Sequence, residues 1–371
     1  MPINSAATLG SPFARLMVGP APYTSPGADQ IVIRNRAVAI NPLDTIKQST
    51  GNMMYGWLPY PSVLGEDVAG EVVEVGTAVT RFAVGDRVVA FAVGMEKGRD
   101  HAAEGGFQLH TVVQSDLAAP LPDTITFEEA VVIPLGVSTA ASALFQNDQI
   151  GLRHPGSAPG HGREAVVIWG GSTSVGINAI QLAVAAGYTV VATASPHNHG
   201  YLRSLGASDV FDYRSATVVD DIAAALSGVR VAGVFAVGTG SAEPAVAVAI
   251  ATGAKRVSLA SPSVSFAKLP RRTGPSLALV QLGLGMVTGN VALQVRARRH
   301  GIRAKYVWGS SLMTNEVGPM LWADFLPAAL ADGRFVPAPA AEVVGSGLES
   351  IQAAMDTHSR GVSARKVVVS L

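Results

Sequence analysis

The stretch Ala165–Ala186, AVVIWGGSTSVGINAIQLAVAA, predicts a strand, a glycine-rich turn and a helix in direct succession. The apolar run before Gly170 is typical of a parallel strand buried on both faces. The glycines allow a tight turn, and the hydroxyl residues after them are natural helix N-caps. Because a helix N-terminus binds phosphate well, the turn predicts a diphosphate site, although the same glycines also fit a turn without nucleotide. The residues predicted to hold the ligand are Gly170, Gly171, Ser172, Thr173, Ser174 and Val175.

Two further buried strands follow this turn, Tyr188–Thr193 and Val210–Tyr213, with a short helix between them. This βαβ rhythm places a ligand at the carboxyl ends of the first strands. A site selective for NAD usually has an acid at the end of the second strand, where this chain has Ser195. A small hydroxyl with polar and basic neighbours suits a 2′-phosphate, so the sequence predicts NADPH. These neighbours are Asn198, Arg203, Tyr213 and Arg214. Each of them could instead be an ordinary surface or half-buried residue.

The composition of the whole chain limits the classes of function. A chain of 371 residues is long enough for two domains, and 48% hydrophobic with 15% charged residues predicts large folded cores. The formal net charge is zero, which gives no electrostatic case for nucleic acid or an acidic membrane surface. Cysteine is absent, which excludes disulfides, thiolate zinc sites and a cysteine nucleophile. The N-terminus lacks the apolar core of a signal peptide, and a cytoplasmic location needs no special assumption.

The local patterns predict two domains. Residues 1–30 are predicted to be a loosely ordered lead-in, and from Gln30 short strands with Gly and Asp turns predict a compact β-barrel or sandwich. Helical character begins near Phe127, and residues 165–310 alternate strand and helix. The last strand, Lys366–Leu371, has no obvious partner nearby, which predicts that the C-terminus returns to the first domain. We therefore predict two domains. Residues 1–135 and 315–371 form a discontinuous domain, and residues 136–314 form a continuous one.

The uncharged stretch Thr273–Val295 is the one candidate for a membrane span in the sequence. Glycines, a proline, an asparagine and two glutamines interrupt it. We therefore predict buried helix or strand pieces inside a globular domain, because a spanning helix needs a longer uninterrupted apolar run.

Three signatures occur in a fixed order along the chain. They are Pro61-x-x-x-Gly65-Glu66-Asp67-x-x-Gly70-x-Val72-x-x-x-Gly76, then Gly85-Asp86-Arg87-Val88, then the Gly170 turn. In this order and spacing they resemble the medium-chain dehydrogenase/reductase superfamily over nearly the whole chain. Within it, the sequence is most similar to the fungal trans-acting enoyl reductases. The shared segments are Val38–Thr45, Gly136–Ala140, Gly170–Thr173, Ser195–Asn198 and Val210–Arg214.

The resemblance implies an α/β protein with a GroES-like, β-rich catalytic domain and a Rossmann-type domain that binds NADPH on a doubly wound parallel sheet. It implies reduction of the α,β-double bond of a polyketide intermediate that is bound to the carrier domain of a partner synthase, in secondary metabolism. A stand-alone, zinc-independent quinone or small-enone reductase is an alternative, as is a non-catalytic homologue. The resemblance allows either a monomer or a dimer.

Zinc-dependent members of the superfamily use Cys and His ligands and have Gly-His-Glu where this chain has Gly65-Glu66-Asp67. This chain has no cysteine, and none of its eight histidines forms a close His/acid pair at metal-ligand spacing on a predicted helix. Glu66 and Asp67 are adjacent, so on a strand they would point to opposite faces, which favours a structural role. We therefore predict no metal, and hydride delivery to an already polarised acceptor such as an enoyl thioester.

The candidates for catalysis near the expected nicotinamide are Asp44, Thr45, Lys47 and Thr139. The family commonly has a lysine directly after the position of Thr45, whereas this chain has Ile46 there and Lys47 one residue later. Lys47 is therefore either a catalytic lysine or a solvated surface lysine. Thr139 either lines the nicotinamide pocket or bonds back to its own helix.

Methionine and aromatic side chains follow this segment and suit a long, apolar acyl chain. The alternative is that they fill the core of the smaller domain. The predicted substrate-side wall consists of Met54, Tyr55 and Trp57, with Met53, Tyr60, residues 280–290 and the 310s beside them.

Overall fold

The computed structural model describes residues 3–157, 163–261 and 277–371, with only the backbone described for most of 277–287. Within these residues the chain forms two compact units. One comprises the described residues up to Leu135 together with Gly318–Leu371, and the other comprises the described residues from Gly136 to Val317.

The secondary structure alternates between β-rich and mixed segments along the chain. The strands of the described residues are β1 Asn4–Leu9, β2 Leu16–Ala21, β3 Gln30–Ala39, β4 Ser62–Val63, β5 Asp67–Val75, β6 Arg87–Phe91, β7 His110–Gln114, β8 Ala118–Pro120, β9 Glu164–Trp169, β10 Thr189–Thr193, β11 Asp209–Phe211, β12 Arg230–Ala236, β13 Arg256–Leu259, β14 Arg303–Tyr306, β15 Ala340–Ser346 and β16 Arg365–Ser370. The helices are α1 Pro42–Thr50, α2 His101–Glu104, α3 Phe127–Ala130, α4 Pro134–Phe145, α5 Ser174–Ala185, α6 His199–Ser204, α7 Val218–Ala225, α8 Ala242–Thr252, α9 Leu277–Arg299, α10 Val317–Pro319, α11 Leu326–Ala331 and α12 Ile351–Ser359. Short 3₁₀ turns lie at Ser115–Leu117, Pro196–Asn198, Gly309–Thr314 and Leu348–Ser350, and a π-helical segment, Met320–Phe325, joins α10 to α11.

Six parallel strands of the second unit form one sheet in the order β11-β10-β9-β12-β13-β14. This is the doubly wound order, in which the strand order reverses on either side of β9. All six residues of β9 are buried, as a central strand of a parallel sheet requires. The predicted Rossmann-type fold is thus confirmed.

The turn after β9 needs glycine for two physical reasons. Gly170 has a φ of 86°, which side-chain-bearing residues rarely adopt, and a Cβ on it would lie 2.2 Å from the carbonyl oxygen of Val237. A Cβ on Gly176, in the first turn of α5, would lie 2.3 Å from the carbonyl oxygen of Gly170. The strand, the turn and the helix therefore pack at backbone contact distance.

The first unit contains a seven-stranded sheet and a smaller three-stranded sheet. The larger sheet has the order β15-β16-β3-β5-β6-β8, with β7 also paired to β3. The register between β3 and β5 shifts at two places, and such bulges bend and twist a sheet. The last strand, β16, pairs with β3 through Val368 and Ala39, so the end of the chain returns to the first unit.

The prediction of a loosely ordered lead-in over residues 1–30 is wrong. The segment contains β1 and β2, an antiparallel pair of six-residue strands, and β1 also pairs with β4. Ala6, Ala7 and Leu9 are fully buried. Alanine and threonine carry little hydrophobic contrast, so the alternation of inward and outward residues is hidden in the sequence.

The prediction of separate buried pieces over Thr273–Val295 is wrong from Leu277 onward, where one continuous helix, α9, runs for 23 residues. In its second half Leu293 is buried, whereas Val291 is 57% exposed. The glycines that suggested breaks are accommodated inside the helix, at a cost of about 1 kcal/mol each relative to alanine. Residues 273–276 lie outside the described residues.

One stretch of the described residues, Phe127–Phe145, is apolar and long enough to cross a membrane by length and composition. Within the protein, 83% of this window is buried. That burial is typical of a core helix in a folded domain.

Replacing Gly170 with alanine tests whether the turn depends on backbone contact. We expect Gly170→Ala to lower the free energy of unfolding by about 3 kcal/mol or more, because the positive φ and the contact with Val237 both oppose a Cβ. Gly187→Ala is the matched control, since Gly187 has a φ of 82° but no atom within 4 Å of a Cβ, and it should cost only about 1 kcal/mol. Equal shifts of the urea midpoint in the two variants would contradict this account of the turn.

Candidate functional site

The second unit's candidate site is the turn between β9 and α5. The backbone N–H groups of Gly170 and Gly171 donate to Thr193 at the end of β10, over 3.1 Å to Oγ1 and 2.8 Å to the carbonyl oxygen. Thr173 Oγ1 donates to the Gly170 carbonyl at 2.8 Å and accepts from Gly176 N at 3.0 Å, which caps the helix. These bonds hold the N-terminus of α5 in one position relative to two neighbouring strands.

The first turn of α5 offers donors that a phosphate group can use. The first N–H groups of a helix have no partner within the helix, and the helix dipole makes this end positive. The Ser174 hydroxyl is buried and has no hydrogen-bond partner. Residues Ser172–Val175 are half-buried, so a ligand can reach them. An orphaned hydroxyl beside free amides fits a diphosphate.

The residues predicted to hold a 2′-phosphate follow the neighbouring strands at the same edge of the sheet. Ser195 comes two residues after β10 and Tyr213 two residues after β11, and these strands pair in register through Thr193 and Phe211. The Arg214 guanidinium lies 5.0 Å from the centre of the Tyr213 ring. Tyr213, 41% exposed, and Arg214 are open to solvent, whereas Asn198 is buried in the 3₁₀ turn after Ser195.

Thr139 lies on α4, whose first turn packs closely against α5. A Cβ on Gly136 would lie 2.8 Å from both Ser174 Oγ and Asn178 Nδ2, so glycine permits this approach. Thr139 is one helical turn after Gly136 and therefore lies on the same face of α4. It is 8% exposed and lies on the face of α4 that packs against α5.

In the first unit, Asp44 is completely buried at the start of α1. Its carboxylate accepts from Asn41 N at 2.8 Å and from Gly65 N at 3.0 Å, which joins the helix to the loop before β5. Burial, together with the charge of Asp67, raises the pKa of Asp44 to about 7, although the two backbone N–H bonds act in the opposite direction. Thr45, beside it, donates to the Pro42 carbonyl and so bonds back to its own helix.

Asp67 belongs to a closed network of buried polar groups. Its carboxylate accepts from Asn41 Nδ2 at 2.8 Å and from Leu135 N at 2.7 Å, and it lies 2.8 Å from Lys366 Nζ. Lys366 Nζ also donates to Asn41 Oδ1. The two charged side chains, Asp67 and Lys366, are paired with each other, and Asn41 bonds to both. Burial of charged groups is compatible with a stable fold when they are paired in this way. The structural role predicted for Asp67 agrees with these contacts.

Glu66 differs from its neighbour. It precedes β5, is completely buried, and neither of its carboxyl oxygens has a hydrogen-bond partner. Burial and the nearby carboxylates of Asp44 and Glu96 raise the pKa of Glu66 well above its usual range. The sequence favoured a structural role for Glu66, as for Asp67, but no hydrogen bond of the described residues supports that role for Glu66. The available signal was an acid separated by only one glycine from the apolar pair Val63–Leu64, where an unpaired charge is costly.

Lys47 is fully buried on α1, so its interpretation as a solvated surface lysine is wrong. Its Nζ donates to the carbonyl oxygens of Tyr55 and Leu58 at 3.0 and 3.3 Å and lies 4.5 Å from the centre of the Tyr60 ring. Burial lowers the pKa of Lys47. The lysine therefore ties the loop 51–61 to α1.

The loop 51–61 contains the predicted substrate-side residues, which the structure divides into buried and exposed positions. Tyr55 is 2% exposed and packs against Trp57, with 5.3 Å between ring centres. Trp57 is 45% exposed and donates through Nε1 to the Met95 carbonyl, and Met54 is half-buried. Tyr55 thus fills the core, while the others can meet a ligand. Most side chains of 280–290, the other predicted wall, lie outside the described residues.

The donor groups in this region do not fit a zinc site. The oxygens of Asp44 and Asp67 are already bonded to backbone N–H groups, an asparagine and Lys366. Among the residues that the structure describes, no three His, Cys, Asp or Glu side chains form a group that could hold a metal ion.

Comparison with known proteins places this architecture among dehydrogenases. The alcohol dehydrogenase GroES-like domain family matches residues 27–123. Dehydrogenase pigH of Monascus ruber is 48% identical, with 100% of both chains covered. Trans-enoyl reductase himH of Aspergillus japonicus is 39% identical, with 100% of this chain and 98% of the other covered. An alcohol dehydrogenase superfamily protein from Novosphingobium aromaticivorans has a TM-score of 0.71 at 24% identity, with 99% of each chain covered.

A GroES-like unit and a doubly wound parallel-sheet unit in one chain define a two-domain oxidoreductase, and both predicted folds are confirmed. With full-length relatives at this level of identity, the chain belongs to the medium-chain dehydrogenase/reductase superfamily, close to fungal dehydrogenases and trans-enoyl reductases.

The ion pair between Lys366 and Asp67 makes a prediction about stability. We expect Lys366→Met to lower the free energy of unfolding by about 3–5 kcal/mol, because it leaves a carboxylate buried without its cation. The matched control is Lys305→Met, which breaks a solvent-exposed pair with Asp148 and should cost less than about 1 kcal/mol. Chemical denaturation of both variants measures this difference, and a loss below 1 kcal/mol for Lys366→Met would show that the pair is not structural.

Proposed function

We propose that this protein is an NADPH-dependent, trans-acting enoyl reductase. Its substrate is the α,β-double bond of a polyketide intermediate bound to the carrier domain of a synthase. The observation that carries the proposal is the full-length likeness to a trans-enoyl reductase, in a chain whose parallel sheet has a turn suited to a dinucleotide.

The proposed cofactor site rests on three adjacent strand ends. The N-terminus of α5 follows β9, Ser195 follows β10 and Tyr213 follows β11. Ligands of doubly wound sheets bind at this carboxyl edge, beside the reversal of strand order. In the proposed complex the free amides and the Ser174 hydroxyl hold the diphosphate, and Thr139 contacts the nicotinamide.

The proposed preference for NADPH rests on the charges near the end of β10, where an acid is absent and an arginine is exposed. The position after β10 where NAD-selective sites place an acid has a neutral serine, Ser195. Arg214 is exposed, stacks on Tyr213 and has no acidic side chain as an ion-pair partner among the described contacts. A guanidinium in this setting can form charge-assisted hydrogen bonds to a 2′-phosphate, which NADH lacks.

The chemistry divides between the cofactor and the chain. When bound, a reduced nicotinamide supplies hydride to the β-carbon of an enoyl thioester. The chain must exclude water, bind the acyl group and provide a proton for the α-carbon. The exposed Trp57 and Met53 offer apolar surface for the acyl group. Lys47 holds their loop through its two carbonyl contacts.

The cofactor preference is tested by Arg214→Ala. We expect wild-type protein to bind NADPH more tightly than NADH, and Arg214→Ala to weaken NADPH binding about 10- to 100-fold, since a hydrogen bond to a charged group contributes about 1.5–3 kcal/mol. NADH binding should change little. Arg303→Ala, which removes an exposed arginine at the first residue of β14, away from the carboxyl edge of the sheet, is the control. Calorimetric titration measures the affinities of all three proteins for both cofactors, and equal wild-type affinities for NADPH and NADH would refute the preference.

The reaction is tested by following NADPH consumption with three acceptors at equal concentration: a carrier-bound enoyl chain, the same chain as a small free thioester, and a quinone. We expect the carrier-bound chain to give the highest kcat/KM. Dominant turnover of the quinone would assign the protein to the stand-alone reductases, and no turnover of any acceptor would mark it as a non-catalytic homologue.

A further inference from the structure

Glu66 is a buried acid of the first unit that has no hydrogen-bond partner among the described residues. It is completely buried, and both carboxyl oxygens lack hydrogen-bond partners. Its neighbour Asp67 is equally buried but has Asn41, Leu135 and Lys366 as partners. An unpaired charge inside a protein costs far more than a neutral polar group, so a side chain in this setting takes the neutral, protonated form.

Glu66 and Asp44 lie near each other but have different hydrogen-bonding surroundings. Asp44 accepts two backbone N–H bonds, which favour its charged form, whereas Glu66 has no donor to stabilise a charge. The other charged groups that act on Glu66 are Glu96 and Asp67, which oppose ionisation, and Lys366, which favours it but is engaged with Asp67. Burial raises the pKa of both acids, and of the two only Asp44 has hydrogen-bond donors that oppose this rise.

The alternative donor in this unit is already engaged. Lys47 Nζ uses its protons on the Tyr55 and Leu58 carbonyls and faces the Tyr60 ring. Its contacts are those of a residue that positions a loop. A protonated carboxyl, in contrast, has one O–H donor, and that of Glu66 has no acceptor among the described residues.

The loop that Lys47 holds lies close to Glu66. The charge that Glu66 would carry, after burial itself, helps to raise the pKa of Tyr55, so the two side chains are near each other. Tyr55 has a φ of 54°, a strained conformation for a residue with a side chain, and such strain concentrates at ligand sites. Two residues further on, Trp57 is exposed to solvent. Because Glu66 is completely buried, a ligand would reach its carboxyl only if this loop moved.

We propose that Glu66, held neutral beneath the loop 51–61, is the proton donor that completes the reduction of the double bond. The inference rests on the proposed function. A bound reduced nicotinamide would supply the hydride that forms the new bond at the β-carbon, and the π electrons would move to give an enolate. The enolate α-carbon takes the proton from the Glu66 carboxyl, and the O–H bond breaks to leave a carboxylate. Water then returns a proton to Glu66, so each turnover consumes one hydride and one solvent proton.

The first test needs neither cofactor nor turnover. In the infrared difference spectrum of wild type minus Glu66→Gln at neutral pH, we expect the C=O stretching band of a protonated carboxylic acid, shifted in D₂O. A spectrum with carboxylate bands alone would overturn the proposal. Because this readout uses resting protein, it stands even if enoyl thioesters are not the substrate.

The second test measures turnover of the enoyl thioester. Glu66→Gln keeps a hydrogen-bond donor of the same size but has no transferable proton, so we expect kcat to fall about 10²- to 10⁴-fold with NADPH affinity unchanged. Glu66→Asp keeps an acid and should recover part of the loss. In wild type, kcat should fall as pH rises through the pKa of Glu66, and this limb should disappear in Glu66→Gln.

The matched control is Glu104→Gln, which alters another buried acid of the same unit, one paired with Arg99 and Gln30, and should keep kcat within about threefold. A Glu66→Gln protein with near wild-type kcat and an unchanged pH profile would refute the role. If Glu66→Gln does not fold, Glu66→Asp decides: an alkaline limb identical to that of wild type would refute it. Absence of turnover in wild type would instead count against the proposed function.

Discussion

The backbone contact between Gly170 and Val237 is the constraint on which the parallel-sheet unit depends. It brings the end of β9 so close to the end of β12 that no side chain fits between them. The turn is then fixed from the other side by Thr193 of β10. Three strands thus determine where α5 begins, and the capping by Thr173 leaves the first amides of that helix available. The proposed phosphate-binding position is thus formed by packing, without a charged side chain.

The first unit differs in that it buries several ionisable groups inside a small β-rich core. Asn41, Asp67 and Lys366 form a closed set in which every charge has a partner. Asp44 is satisfied by backbone amides, and Lys47 by backbone carbonyls. Glu66 stands outside this set. A buried polar group without partners destabilises the fold, and packing does not offset this loss of free energy. A functional role accounts for its presence.

The sequence predicted the elements that carry strong periodic signals. The segment Ala165–Ala186 combines a continuous apolar run, glycines and a helix cap, and the structure places its strand and helix accordingly. Residues 4–21 were not recognised as strands, because alanine and threonine give little contrast between the two faces. The α9 helix was divided at glycines that a long helix tolerates.

The site was predictable only in part, for a reason that lies in tertiary packing. The turn and the strand-end residues follow from chain order, because carboxyl ends of parallel strands share one edge. The burial of Lys47 does not follow, since lysine is almost always exposed and its partners are backbone carbonyls that no residue type reveals. The isolation of Glu66 is also a property of the folded chain, because only the structure shows which neighbours are already engaged.

The most direct measurement is a crystal structure of the protein grown with saturating NADPH. The account predicts density for the diphosphate against the first turn of α5, within hydrogen-bond distance of the Ser174 and Val175 amides, and for the 2′-phosphate beside Arg214. A turn at Gly170 that stays empty under saturation, or is closed off by neighbouring side chains, would contradict the account at its foundation.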